Sequence, residues 1–163
     1  MYYAEVFEAL NRNKVKYLVV GGIAVVLHRV MRLTADLDLF VDLQKENILK
    51  LIEVLTTLGY KPKLPVKAIE FSDPLIRASW IKEKNMKVFP FVHSSQDYKM
   101  IDIFVDEPIP FASAYGRKQV VKAGELPIDV IALDDLIALK KLSAREQDLA
   151  DIKMLEELNR NNE

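Results

Sequence analysis

Two aspartates, Asp36 and Asp38, flank the first residue of Leu37–Val41, a segment that otherwise has the composition of a buried strand. Side chains alternate between the two faces of a strand, so the two aspartates point to one face and the leucines between and after them to the other. Neighbouring carboxylates repel each other and lose hydration when covered, which calls for a cation or several hydrogen-bond donors nearby. The alternative is an aspartate in a loop followed by a solvent-facing charge at the end of the strand.

A third aspartate, Asp102, lies between two isoleucines in another predicted strand, residues 99–105. If this strand lies beside Leu37–Val41, then Asp36, Asp38 and Asp102 form one site. Such a site would hold one or two Mg²⁺ ions, about 3.5–4 Å apart when both are present, and would suit phosphoryl or nucleotidyl transfer. The alternative for Asp102 is a charge on an edge strand that discourages aggregation.

A glycine pair, Gly21 and Gly22, lies between a predicted strand, residues 15–20, and a predicted helix, residues 23–31. Glycine permits a sharp turn and a close approach of the backbone to a ligand. The free amides at the start of the following helix would donate hydrogen bonds to phosphate oxygens. A plain turn at this position would need no ligand, so the glycines indicate a phosphate-binding site only when their spacing to the aspartates is considered.

The rest of the pattern predicts a mixed α/β fold, with a mixed central sheet flanked by helices, in a single domain covering residues 1–163. Residues 87–92 and 99–105 are expected to form an antiparallel hairpin, and Gly59 is expected to end a helix. A helical segment at about 134–159 closes the chain, with Asp134 predicted as the N-cap of its first helix. The predicted helices cover residues 5–11, 23–31, 45–58, 73–84, 134 onward and 145 onward, and the strands residues 15–20, 37–41, 87–92, 99–105 and 126–130.

The overall charge and composition exclude several classes of protein. The 163 residues contain 23 Lys and Arg and 24 Asp and Glu, so the whole surface is not a nucleic-acid footprint, although a local basic patch is allowed. The absence of cysteine excludes disulfides and thiolate metal sites. With no signal-peptide pattern and no apolar run of membrane-spanning length, the sequence predicts a cytoplasmic protein without a membrane partner.

Together these residues resemble the nucleotidyltransferase superfamily that shares its catalytic core with polymerase β. Its members carry Gly-Gly or Gly-Ser, then a D-x-D pair about a dozen residues later, and a third carboxylate on a later strand. Gly21, Gly22, Asp36, Asp38 and Asp102 occupy these places.

The resemblance extends to small bacterial and archaeal nucleotidyltransferase-like proteins allied to the AbiE-type toxin family. Two longer motifs carry it: G-G-x-A-x-x-x-H followed by R-x-T-x-D-x-D, and D-L-I-A-x-K followed by R-x-x-D-x-x-D-I. The matching residues are Gly21, Gly22, Ala24, His28, Arg32, Thr34, Asp36, Asp38, residues 135–140, Arg145, Asp148, Asp151 and Ile152. The chain departs from the pattern at Gln147, where a basic residue is common, and at Arg29, where glycine is usual.

The resemblance implies a role for each matching residue. Asp36 and Asp38 would bind Mg²⁺ on the triphosphate, and Asp102 would complete the metal site and take the proton of the attacking hydroxyl. Lys140 would neutralise charge on the phosphates. The nucleotide-binding residues would be Gly21, Gly22, Arg32 and Thr34.

Several of these and other residues have plainer interpretations. Lys140 and Lys141 are equally well explained as adjacent solvated lysines, and Arg145, Asp148 and Asp151 are better explained as surface ion pairs. His28 is expected to make a hydrogen bond in the core. Core packing is the commoner role for aromatic residues such as Trp80, Phe89 and Phe91, which otherwise offer surface for base stacking.

The function implied is Mg²⁺-dependent transfer of a nucleoside monophosphate from an NTP to an unidentified hydroxyl acceptor, with release of pyrophosphate. The acceptor is an RNA, a protein or a small molecule. An antitoxin or a second copy of the chain is the expected protein partner. The alternative is a nucleotide-binding or toxin–antitoxin interaction protein with the same fold and little or no catalysis.

Overall fold

The computed structural model describes residues 3–162, and in this range seven strands form one sheet flanked by helices. The order in the sheet is β3-β4-β5-β2-β1-β7-β6. The pairs β2–β5 and β1–β7 are parallel and the others antiparallel, which confirms the predicted mixed α/β class. The strands are β1 (Tyr17–Val20), β2 (Leu37–Val41), β3 (Tyr60–Pro62), β4 (Val88–His93), β5 (Met100–Phe104), β6 (Gln119–Ala123) and β7 (Leu126–Val130).

The helices follow the predicted order with three differences in their boundaries. Helix α2 begins at Gly21 and not at residue 23, so the glycine pair forms the start of the helix and does not precede it. Helix α2 ends at Leu27 and not near residue 31, because Arg29 adopts a left-handed conformation with φ +71° that ends the helix. Helix α6 begins at Leu133, with Ala132 as its N-cap, so the prediction that Asp134 is the N-cap is wrong. The helices are α1 (Ala4–Arg12), α2 (Gly21–Leu27), α3 (Lys45–Thr57), α4 (Pro74–Lys84), α5 (Phe111–Gly116), α6 (Leu133–Ser143) and α7 (Glu146–Asn161), with a 3₁₀ helix at Ala68–Ser72.

The structure confirms two local predictions, the glycine that ends α3 and the antiparallel hairpin. Gly59 follows the C-cap Leu58 of α3 and has φ +92°, the left-handed conformation that commonly ends helices. Strands β4 and β5 pair antiparallel, with Phe91 opposite Ile101. Strands β3 and β6 and helix α5 were not predicted.

One face of the sheet forms the apolar core. Alternate residues of the central strands, such as Leu39 and Ile103, have no exposed surface on this face. Phe89 is stacked between Phe71 and Trp80, with ring centroids 5.1 and 5.0 Å away. These aromatic residues therefore belong to the core, as their plainer interpretation predicted.

The opposite face, which we call the site face, carries Asp38 and Asp102. At one end it is closed by α5, where Phe111 packs edge-on against Phe40 with the ring centroids 5.1 Å apart. Helix α6 borders it on another side. Among residues 3–162, no helix has the length and the apolar composition needed to cross a membrane.

Candidate active site

Asp38 and Asp102 are direct neighbours on the parallel strands β2 and β5. Because paired residues of adjacent strands point to the same face, their half-buried carboxylates lie side by side. Burial, followed by repulsion from Asp102 and Asp36, raises the pKa of Asp38 to about 7. Burial, followed by repulsion from Asp36, also raises the pKa of Asp102. The site thus concentrates negative charge that the protein alone does not neutralise.

The donor set fits a magnesium ion that a substrate helps to hold. Mg²⁺ is commonly bound by one or two carboxylates together with substrate phosphates, and Asp38 and Asp102 supply two adjacent carboxylates. Over the described range 3–162, no group of three or more His, Asp or Glu side chains converges as a complete metal centre. A coordinating role for Asp36, which directly precedes β2, stays a prediction.

The glycine pair leaves room for the side chains around it. Gly21 has φ +65°, and a Cβ at this position would overlap the carboxylate of Asp38. A Cβ on Gly22 would overlap the guanidinium of Arg32 and lie 2.6 Å from the hydroxyl of Thr34. Close packing therefore requires both glycines, and it brings together the four residues that the sequence predicted to bind nucleotide.

Substitution of Gly21 by alanine is expected to destabilise the protein and to displace Asp38. The left-handed backbone costs a side chain about 1 kcal/mol, and the overlap with Asp38 adds on the order of 1–3 kcal/mol. Gly124→Ala is the matched control, because Gly124 has φ +64° with open space around it. Chemical denaturation should show the larger loss for Gly21→Ala, and equal losses would contradict contact with Asp38.

Lys140 is buried, whereas its neighbour Lys141 is exposed. The Nζ of Lys140 lies 2.9 Å from Oδ2 of Asp151 and 3.4 Å from Oδ1 of Asp148. The Lys141 side chain is 60% exposed and pairs with Glu156 at the surface. The interpretation as adjacent solvated lysines is therefore wrong for Lys140 and holds only for Lys141.

The two aspartates of α7 are also buried, so their interpretation as surface ion pairs is wrong. Asp151 Oδ1 lies 3.2 Å from Nε of Arg32, a contact that is electrostatic because its geometry is not that of a hydrogen bond. Asp148 Oδ2 accepts hydrogen bonds from Ser143 Oγ at 2.7 Å and from Arg145 Nε at 3.0 Å. Burial alone would raise the pKa of Asp148, but these hydrogen bonds lower it to about 2. Spacing in the sequence showed that these residues share a helix but not which side of that helix is packed.

These contacts form one connected group, which we call the buried ion network, although Arg145 itself reaches it from the surface. Its three cations exceed its two anions, so the network is net positive beside the negative pair on the site face. Gln147 donates a neutral hydrogen bond to Asp151 at 3.0 Å. The members of the buried ion network are Arg32, Lys140, Arg145, Asp148 and Asp151.

A cleft of about 590 Å³ lies between the site face and α6. Asp38 and Asp102 lie on one side, and Lys140 and Arg145 on the other. Gly21 borders the cleft. The volume of the cleft is typical of sites for cofactors and other small ligands. The arrangement suits a ligand with negative phosphates whose metal ion is held by the carboxylates.

His28 has a role in the core. It is buried, and its Nε2 lies 2.8 Å from the carbonyl oxygen of Ile131, at the point where the chain leaves β7 toward α6. This hydrogen bond confirms the expectation from the sequence.

Comparisons with known proteins identify the family of the chain and solved structures with a similar fold. The family model described as "nucleotidyltransferase of unknown function (DUF6036)" matches residues 3–160. The lincosamide antibiotic adenylyltransferase LnuA, solved with lincomycin, is 18% identical with a TM-score of 0.61 over 94% of this chain and 93% of its own. ANT(2″)-Ia, solved with adenylyl-2″-tobramycin, is 14% identical with a TM-score of 0.61 over 97% and 91%.

At these identities the two solved structures establish the fold alone. No curated protein matches the chain significantly. The narrower resemblance to AbiE-type toxins stays a prediction. The match of the family model over nearly the whole sequence shows that the chain belongs to the DUF6036 family of nucleotidyltransferases.

Proposed function

We propose that this protein is a Mg²⁺-dependent enzyme that transfers a nucleoside monophosphate from an NTP to a hydroxyl acceptor and releases pyrophosphate. The observation that carries the proposal is the cleft with Asp38 and Asp102 on one side and Lys140 and Arg145 on the other. A triphosphate with its metal ion would use both sides, because the carboxylates would bind the metal ion and the two cations would bind the negative phosphates. The cytoplasm, which supplies NTPs and Mg²⁺, is the compartment in which we expect the reaction.

Asp38 and Asp102, joined by Asp36, are the residues that would hold the metal. Bound there, Mg²⁺ supplies a Lewis acid that neutralises charge on the phosphates and orients them. The side chain of Arg32 and the hydroxyl of Thr34, packed over Gly22, would contact the nucleotide beside the first turn of α2.

The chemistry at the α-phosphorus is an in-line displacement. The acceptor oxygen forms a bond to the α-phosphorus, the bond from that phosphorus to the bridging oxygen breaks, and pyrophosphate leaves. Asp102 takes the proton of the acceptor hydroxyl, and burial makes its carboxylate a stronger base than an exposed aspartate. Lys140 and Arg145 offset the charge that develops on the leaving phosphates.

Titration calorimetry with each of the four NTPs in the presence of Mg²⁺ tests this proposal. We expect Mg²⁺-dependent binding of at least one NTP, weakened more than about tenfold in Asp36→Asn/Asp38→Asn, because the variant loses two predicted metal ligands. Asp97→Asn, which removes an exposed carboxylate from the turn between β4 and β5, is the control and should bind normally. An absence of NTP binding by the natural protein would overturn the proposal. NTP binding without transfer to any acceptor would favour the nucleotide-binding or toxin–antitoxin alternative.

A further inference from the structure

The site face extends beyond the cleft as an open apolar strip over β4 and β5. Along β4, Phe89 and Phe91 point to the core and are fully buried, whereas Val88, Pro90 and Val92 point to the site face and are half-buried. Pro90 is paired with Asp102, so the strip begins beside the residue that would take the acceptor's proton. An acceptor approaching Asp102 from the side away from α6 would lie on this strip.

Three exposed lysines border the strip. Lys61 is paired with Val92 and therefore points to the site face, and the backbone N–H of Lys63 donates to the carbonyl of Pro90. Lys87 directly precedes β4 and lines the cleft. From Lys87 to the level of Lys61 the strand spans about 17 Å, enough for several residues of an extended polymer. The charge of Lys63 also reaches Asp102 and favours its ionised form, lowering its pKa against the larger opposite effect of burial.

The three lysines belong to a segment that is positively charged, although the net charge of the whole chain is slightly negative. Residues 60–100 contain eight Lys and Arg and four Asp and Glu, a formal charge of +4 in a chain whose total is −1. Lys82 and Lys84 lie on α4, which packs on the core face through Trp80, so these two lysines do not border the strip. Two exposed carboxylates, Asp97 in the turn after β4 and Asp106 at the rim of the cleft, lie near the strip and are outnumbered by its three lysines. This side of the site therefore favours a polyanion and disfavours a small polycation.

We propose that the acceptor is a nucleic acid strand with a free terminal hydroxyl. Its phosphodiester backbone would run between Lys61, Lys63 and Lys87, with its bases against the apolar strip and its terminal hydroxyl beside Asp102. The inference rests on the proposed function and specifies its acceptor. The terminal hydroxyl oxygen forms the new bond to the α-phosphorus, its proton passes to Asp102, and pyrophosphate leaves, so the strand grows by one nucleotide.

Fluorescence anisotropy with a 5′-labelled 12-nucleotide RNA tests the surface. The triple variant Lys61→Glu/Lys63→Glu/Lys87→Glu should bind at least tenfold more weakly than the natural protein. Its matched control, Lys82→Glu/Lys84→Glu/Lys122→Glu, reverses three exposed lysines on α4 and β6 and should change affinity less than about threefold. Because each phosphate contact on a single strand contributes about 0.7 to the salt dependence, the slope of log K against log salt should fall by about 2 in the first variant.

Three further measurements distinguish RNA from DNA as the acceptor, binding from extension, and this proposal from the proposed function. RNA and DNA of one sequence identify the sugar that is used, and a strand blocked by a 3′-phosphate should bind normally but not be extended. The double variant Lys61→Glu/Lys63→Glu, which leaves Lys87 of the cleft unchanged, should weaken RNA binding but retain NTP binding, which separates this proposal from the proposed function. Equal loss of RNA binding in the two triple variants, loss of NTP binding in the double variant, no salt-dependent RNA binding, or labelling of tobramycin or lincomycin in place of RNA would overturn it.

Discussion

Replacement of Asp38 by asparagine is expected to abolish transfer activity while making the metal-free protein more stable. On the proposed function, the change removes a metal ligand, and we expect the rate to fall on the order of 10³-fold, equivalent to about 4 kcal/mol of transition-state stabilisation. Single-turnover transfer from a labelled NTP measures this effect. Glu53→Gln, which changes an exposed carboxylate on α3, should keep the natural rate.

The stability effect of the same substitution depends on pH. The pKa of Asp38 is about 7 in the folded protein and near 3.8 in the unfolded chain, so the folded state binds the extra proton between these values. The free energy of unfolding of the natural protein therefore falls as pH rises from about 4 to 7, and the full penalty remains above pH 7.

Asp38→Asn lacks this penalty because asparagine carries no charge. In EDTA at pH 8 it should be more stable by on the order of 2–4 kcal/mol, which allows for solvent screening of a half-buried group. At pH 4 the two proteins should differ little. Urea denaturation at both pH values measures the difference. Equal stability of the two proteins at pH 8 would show that neither burial nor repulsion from the neighbouring aspartates destabilises the ionised Asp38 in the folded state.

The second large effect is expected from Asp151→Asn. This substitution leaves the buried Lys140 ammonium without its nearest counter-charge and removes the charge that faces Arg32. Loss of one partner of a buried ion pair commonly costs about 3–5 kcal/mol, because the remaining charge stays desolvated. Denaturant unfolding should show a loss of this size, with part of it recovered when Lys140 is replaced by methionine in the same chain.

A surface ion pair provides the matched control. Glu156→Gln breaks the exposed contact with Lys141, and such pairs contribute about 0–1 kcal/mol. If Asp151→Asn costs no more than Glu156→Gln, the buried ion network does not stabilise the fold. If the double variant Asp151→Asn/Lys140→Met loses the sum of the two single effects, Lys140 and Asp151 are not coupled.

The central strands and their aspartates were predictable because each sits in a run of apolar residues. The alternation of apolar residues in β2 predicts where the strand lies and to which face Asp38 points. The isoleucines on either side of Asp102 predict the position of β5 and the face of Asp102 in the same way. Strands β3 and β6 lack this signal. The first has only three residues and includes Pro62, and the second is a largely exposed edge strand without a continuous apolar run.

The buried ion network was not predictable from local sequence. Arg145 and Asp148 at a spacing of three have the pattern of a solvent-exposed pair on a helix. The burial of Asp148 depends on α7 packing against α6, and the contact of Asp151 with Arg32 joins residues far apart in the chain. The match to a longer family motif singled out these residues, but no physical rule of spacing indicated that the aspartates are buried.

The buried ion network has a consequence for the order in which the site is assembled. Arg32 and Lys140 are made before α7, so during synthesis both cations lack their aspartate partners until that helix has left the ribosome. A nascent chain that contains the complete sheet and α6 but not α7 therefore has two cations without their partners, one of which, Lys140, lines the cleft. The protein is expected to bind a nucleotide only after α7 has packed against α6. Folding of the sheet alone would then not complete the site.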